Sequence, residues 1–273
     1  MSDLAGPLEF IVTKEHRRFI EFCDACRRYR YVGLCFGTPG VGKTVSARTY
    51  ANQNLLEHLL ADSPMLDLPN VPEVRQCTTV FYTPAVVHSP RRLEEDIIAR
   101  RKELNDLHYW TLAGIEGRVR HHLPLGTPDV AELLIVDEAD RLKAIGLEHM
   151  RHIYDRGQFG LVLIGMPGIE KRLSRYPQLY SRVGFVHHFK PLGKEEVQFV
   201  LQHKWQQLGL TLDLSDFTDA ESVAAIIRIT NGNFRLLQRL LSQVERVLQI
   251  NELRYITKEV VEAARELLII GHL

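Results

Sequence analysis

Short, continuous apolar runs alternate along this chain with longer stretches in which apolar residues return every three or four positions. The runs at 31–36 (YVGLCF), 132–136 (ELLIV) and 160–165 (GLVLIG) have the pattern of strands buried on both faces of a parallel sheet. A fourth strand is predicted over 75–84 (RQCTTVFYTP). The stretch from Thr13 to Arg30 is amphipathic at helical period, with Thr13 as N-cap. Ser89-Pro90 opens another helix, with Ser as N-cap and Pro at the first helical position, and Leu93, Ile97, Leu104 and Leu107 fall on one face. A further helical piece carries Arg118, Arg120, His121 and His122, and the run from Pro124 to Pro128 breaks the chain before the next strand. Three prolines (Pro64, Pro69, Pro72) make 54–74 a loop or short insertion. Beyond residue 191 strand signals become sparse, and 193–209, 219–230, 232–250 and 257–270 read as helices. The order predicts an α/β fold: a doubly wound parallel sheet over 1–190, then a small helical domain over 191–273.

Composition narrows the partners only a little. Lys plus Arg and Asp plus Glu number 34 each, so a nucleic-acid-binding surface would have to be local. No apolar run approaches the roughly 20 residues that span a bilayer. The N-terminus MSDLAGPLEF lacks a basic region followed by an apolar one, so a cytoplasmic protein without membrane contact is expected. Cys23 and Cys26 form a C-x-x-C pair, yet neither Cys35 nor Cys77 supplies a second ligand pair. With Phe19 and Phe22 at helical spacing, the pair reads as the apolar face of a helix, with metal or redox chemistry as the alternative.

The chemistry centres on Gly37-Thr38-Pro39-Gly40-Val41-Gly42-Lys43-Thr44, between an apolar strand and a run of good helix formers. The spacing G-x-x-x-x-G-K-T turns backbone N–H groups inward around a polyphosphate, sends a lysine to the β- and γ-phosphates and places a hydroxyl on Mg²⁺. Thr38, Pro39, Gly40, Val41, Gly42, Lys43, Thr44 and Val45 are therefore the expected nucleotide contacts, with Thr44 as a metal ligand. Asp137 follows four apolar residues at a strand tip, where its carboxylate can hold Mg²⁺, and Glu138 is placed to orient and deprotonate the attacking water. Arg182 precedes another apolar segment, where it could reach a neighbouring subunit's γ-phosphate. Arg235 begins a helix of the small domain and could meet the nucleotide. A basic group gathers at Arg91, Arg92, Arg101 and Lys102, interleaved with Glu94, Glu95, Asp96 and Glu103.

GTPGVGKT, LLIVDEADRL, LVLIG, LYSRVGF and NGNFRLL occur in this order. Together they resemble the Walker A, Walker B, sensor 1, arginine-finger and sensor 2 regions of AAA+ ATPases. The likeness runs from about residue 14 to 260 and is greatest to the DNA-transposition ATPases of the MuB, TnsC and TniB type. It implies that Lys43, Glu138 and Arg182 serve catalysis, that Arg235 is the sensor 2 arginine, and that the helical domain is a lid. It also implies ATP and Mg²⁺ as cofactors and a weak ATPase used as a switch, in a protein that oligomerises as a ring or filament on double-stranded DNA. Such a protein selects a target and recruits or activates a transposase, with a target-site factor as a further partner. The chain has no counterpart of the extra N-terminal DNA-binding domain of some relatives, so DNA contact is expected from the ATPase core, with Arg91, Arg92, Arg101 and Lys102 as the candidate DNA-facing surface and a solvated helix face balanced by Glu94, Glu95, Asp96 and Glu103 as the alternative. The alternatives are a DNA-independent assembly ATPase of the ExeA or STAND kind and an IstB-like helicase loader. One residue departs from the pattern: Met166 stands where a polar sensor 1 residue is expected, so water positioning is missing or comes from elsewhere.

Overall fold

The computed structural model describes residues 10–61, 71–87, 89–113, 129–207 and 209–268. These form two compact units. The first comprises Arg18–Gly37 and Lys43–Phe189; the second comprises Thr38–Gly42 together with residues 10–17 and 190–268. The helical unit thus includes the start of the first helix and the crest of the glycine loop, both assigned to the sheet domain by the sequence.

In the first unit, strands β1 (Val32–Phe36), β2 (Thr79–Tyr82), β3 (Leu133–Val136), β4 (Gly160–Gly165) and β5 (Val183–His188) pair in parallel in the order β2-β3-β4-β1-β5. Helix α1 (Lys14–Tyr29) precedes β1, and α2 (Lys43–Tyr50) and α3 (Gln53–Ala61) follow it. Helix α4 (Pro90–Ala113) lies between β2 and β3, α5 (Ala144–Arg156) between β3 and β4, and the short α6 (Ile169–Leu173) and α7 (Pro177–Tyr180) between β4 and β5.

Alternation along the strands sends residues to two faces. Val32, Leu34, Leu134, Val136, Leu161 and Leu163 join Leu93, Ile97, Leu104 and Leu107 of α4 and Leu147, Met150 and Ile153 of α5 in one core. The intervening Gly33 faces α1: a Cβ there would lie 2.3 Å from Cys26 Sγ and 2.7 Å from Phe22. Cys23 and Cys26 are fully buried free thiols beside Phe19 and Phe22, and the Cys23 thiol is pushed well up, chiefly by burial. That is the apolar helix face. Among the described residues no group of three or more His, Cys, Asp or Glu could hold a metal ion.

Two expectations are corrected. Much of the segment read as a loop at 54–74 is helix: α3 runs unbroken to Ala61, and residues 72–76 form a 3-10 turn with Pro72 at its start. Pro64 and Pro69, on which the loop reading leaned, lie outside the described residues, as does the piece with Arg118, Arg120, His121 and His122. The strand predicted over 75–84 is confined to Thr79–Tyr82, because that 3-10 turn occupies its first residues.

In the second unit, α8 (Lys194–Gln207), α9 (Phe217–Thr230), α10 (Phe234–Ile250) and α11 (Lys258–Glu266) pack around Trp205. Helix α10 contributes the stripe Leu237, Leu240, Leu241, Val244 and Leu248, the spacing that one buried helix face requires. No described helix is long and apolar enough to cross a membrane.

Candidate nucleotide site

Strand β1 ends at Phe36, and the chain turns through Gly37–Gly42 into α2, whose first residue is Lys43. Gly40 (φ 83°) and Gly42 (φ 110°) take left-handed backbone conformations that L side chains rarely adopt, which is why glycine is needed at both places. Lys43 is buried, and its Nζ donates to the Gly37 carbonyl at 2.5 Å, holding the ammonium over the first residue of the loop it closes. A glycine loop feeding a helix N-terminus presents backbone N–H groups and the positive end of the helix dipole to an anion, which fits a polyphosphate. Val41 is buried and anchors the loop, while Thr38, Pro39, Thr44 and Val45 are exposed.

Directly after β3, Asp137 is 3% exposed and accepts the Thr44 hydroxyl at 2.7 Å and the Glu138 N–H at 2.9 Å. Burial raises the Asp137 carboxyl above its ordinary range, and the Thr44 and Glu138 hydrogen bonds oppose that rise. A hydroxyl beside a carboxylate is the oxygen set that suits Mg²⁺, so Thr44 and Asp137 are the pair that can hold the ion carried by a nucleotide. Bound there, it would neutralise phosphate charge. Glu138 has φ 50° and ψ 42°, a left-handed conformation at a non-glycine residue. It starts the 3-10 turn Ala139–Arg141, and its carboxylate pairs with Arg141, which also donates to the Pro84 carbonyl beyond β2 at 2.8 Å.

Within the helical unit, the loop crest is bonded to the start of α10. Asn233 Nδ2 donates to the Pro39 carbonyl at 2.8 Å, and the Arg235 N–H donates to the Gly40 carbonyl at 2.9 Å. Asn233 Oδ1 meanwhile accepts the Leu236 N–H at 3.0 Å, capping α10. A Cβ on Gly40 would lie 2.5 Å from Asn233 Oδ1, so the close approach needs glycine there as well. The Arg235 side chain is exposed. Sequence reasoning singled out Arg235 and missed Asn233, although an Asn before an apolar-periodic run is the ordinary signal of an N-cap.

The remaining predicted residues separate. Arg182 Nε and Nη2 meet the Asp155 carboxylate at 2.5 and 2.8 Å, and Nη1 donates to the Gln178 carbonyl, so this arginine is held within its own chain. Arg91 pairs with Glu95 and Arg92 with Asp96, each one helical turn on, and both arginines are well exposed. Lys102 is exposed. Arg101 is different: its guanidinium lies 4.9 Å from the Phe159 ring and pairs with Asp129, with 27% of the side chain exposed. That packing leaves Arg101 less exposed than Arg91 and Arg92.

A glycine loop closed by a buried lysine, next to a hydroxyl–carboxylate pair at a strand tip, places the chain among the P-loop ATPases. Residues 26–173 match the model of the AAA domain family, and the chain belongs to that family. It is 46% identical over 268 residues to a Staphylococcus aureus protein called a potential ATP-binding protein, with 96% of this chain and 97% of that one covered. It is 24% identical over 243 residues to the ATP-dependent target DNA activator B of Escherichia phage Mu, covering 86% and 68%. Its fold is similar to that of the Thermotoga maritima RuvB Holliday junction branch migration motor, with a TM-score of 0.57 at 18% identity over 94% of this chain and 70% of that one.

Proposed function

We propose that this ATPase regulates DNA transposition: with ATP it oligomerises on double-stranded DNA, selects a target and recruits or activates a transposase. The observation that carries the proposal is the likeness to the phage Mu target DNA activator, which extends over 86% of this chain. A Haemophilus influenzae Mu-like prophage DNA transposition protein B, 26% identical over 84% of this chain, supports the same reading. In this scheme Lys43 and residues 38–45 bind ATP, Thr44 and Asp137 hold Mg²⁺, and Glu138 is the general base. Arg235 contacts nucleotide, and Arg182 acts on a neighbouring subunit's nucleotide once released from Asp155. Arg91, Arg92 and Lys102 face DNA phosphates.

The carboxylate partners of Arg91, Arg92 and Arg101 favour a second reading, an ATP-driven protein switch indifferent to DNA. Negative-stain imaging with a slowly hydrolysed ATP analogue, with and without duplex DNA, separates the two. Rings or filaments that need DNA and thin as salt rises support transposition. Assemblies that form equally well without DNA, together with ATP turnover that DNA does not raise, overturn it.

A further inference from the structure

We infer that Asp140 is the positioning residue for ATP hydrolysis in this chain: it fixes the tip of β4 against the turn that carries Asp137 and Glu138, the task left open by Met166.

Register locates that tip. Strand β4 lies between β1 and β3, with Gly165 opposite Phe36 and Leu163 opposite Val136. Met166 therefore leaves the sheet between Gly37, where the phosphate loop begins, and the Asp137–Glu138 pair. A polar side chain there could touch a terminal phosphate or its attacking water; Met166 offers a thioether and is 39% exposed.

The polar contact at this tip comes instead from the neighbouring strand's turn. Asp140 Oδ2 accepts the Met166 N–H at 2.7 Å. It crosses Gly165 so closely that a Cβ on that glycine would lie 2.7 Å from Oδ2 and 2.5 Å from Ile169 Cδ1. The tie is returned from the far side: Arg172 of α6 donates to the Asp140 carbonyl at 2.7 Å and to the Leu142 carbonyl. Two crossed links thus hold the exits of β3 and β4 together. The first of them ends two residues from Glu138.

Asp140 is no direct phosphate contact in this reading, because a carboxylate repels a polyphosphate. Its contribution is to keep the general base at a fixed spacing from the tip of β4, which lies beside the phosphate-loop strand β1, and a misplacement of about 1 Å is enough to cost on the order of a hundredfold in rate. The inference rests on Glu138 as the base, and the test separates the two.

The experiment measures steady-state ATP turnover and fluorescent-ATP affinity of the full chain, with thermal melting alongside. The variants are Asp140→Ala, Asp140→Asn, Gly165→Ala and the Asp140→Ala/Gly165→Ala double variant, with Glu138→Gln as reference. Asp140→Ala is expected to lower kcat roughly ten- to a hundredfold with KM and affinity changed less than about threefold. Asp140→Asn keeps an oxygen acceptor for the Met166 N–H and restores most of the rate. Gly165→Ala lowers kcat at least as far as Asp140→Ala, since its Cβ crowds Asp140 Oδ2 and Ile169 Cδ1 together, and the double variant is no slower than Gly165→Ala alone. The inference is overturned if Asp140→Ala keeps wild-type kcat, if Asp140→Asn is as slow as Asp140→Ala, or if kcat, affinity and melting temperature fall together. Normal turnover by Glu138→Gln overturns the choice of base instead.

Discussion

Arg91 and Arg101 share one helix and one charge, yet their surroundings assign them different tasks. The Arg91 side chain is 89% exposed and meets Glu95, a pair of the kind that contributes a few tenths of a kcal/mol. Arg101 covers the Phe159 ring and pairs with Asp129. Arg101→Ala should therefore lower the stability of the first unit by about 1 kcal/mol, read by chemical denaturation, and leave DNA affinity unchanged. Arg91→Ala with Arg92→Ala should leave stability unchanged and weaken DNA binding. Glu138 and Lys43 divide in the same manner. Glu138→Gln should keep nucleotide binding while turnover falls by about a hundredfold or more, and Lys43→Ala should lose ATP-dependent assembly altogether, as followed by light scattering. The residues of the phosphate loop were legible in the sequence because their spacing is itself the mechanism. Asp140, Arg141 and Asn233 were not, since each acts through a partner 26, 57 or 194 positions away that only the fold brings near.

At the scale of elements, the strands announced themselves where both faces are buried. Strands β3 and β4 are uniformly buried and read as unbroken apolar runs, whereas β5 alternates in burial along its length and left only an apolar segment without a strand signal. Helix α3 was hidden by prolines that begin only after its end. Helix α10 shows what an element's first residue can do. Asn233 caps the helix with its oxygen and holds Pro39 with its nitrogen, and one substitution separates the two roles. Asn233→Asp keeps the cap acceptor and loses the donor to Pro39, so stability of the helical unit, read by chemical denaturation, should fall by about 1 kcal/mol for one hydrogen bond. Asn233→Ala should lose both, with a further cost of about 1 kcal/mol in stability for the missing cap.

For the whole molecule, equal numbers of acidic and basic residues mean that DNA binding, where it occurs, draws on a few local cations. If Arg91, Arg92 and Lys102 each neutralise one phosphate, log K against log salt should fall with a slope near −2.7 per protomer, from about −0.9 for each contact on duplex DNA. A slope near zero would remove DNA from the function. The organisation into a parallel α/β unit and a helical unit was legible because hydrophobic period changes near residue 190. The bonds from Asn233 and Arg235 to Pro39 and Gly40 in the glycine-loop crest were not, because no sequence pattern carries a pairing across so many positions.

With Glu138 as the proposed general base, its left-handed backbone sets folding against catalysis at a single codon. A glutamate in that conformation costs on the order of 1 kcal/mol, which glycine would largely recover, so selection for stability alone would drift this position toward glycine and silence the enzyme. A stabilised but inert Glu138→Gly variant is the expected escape product of a laboratory evolution experiment that screens only for soluble yield, and its persistence as glutamate under selection for turnover would measure how much fitness the base confers.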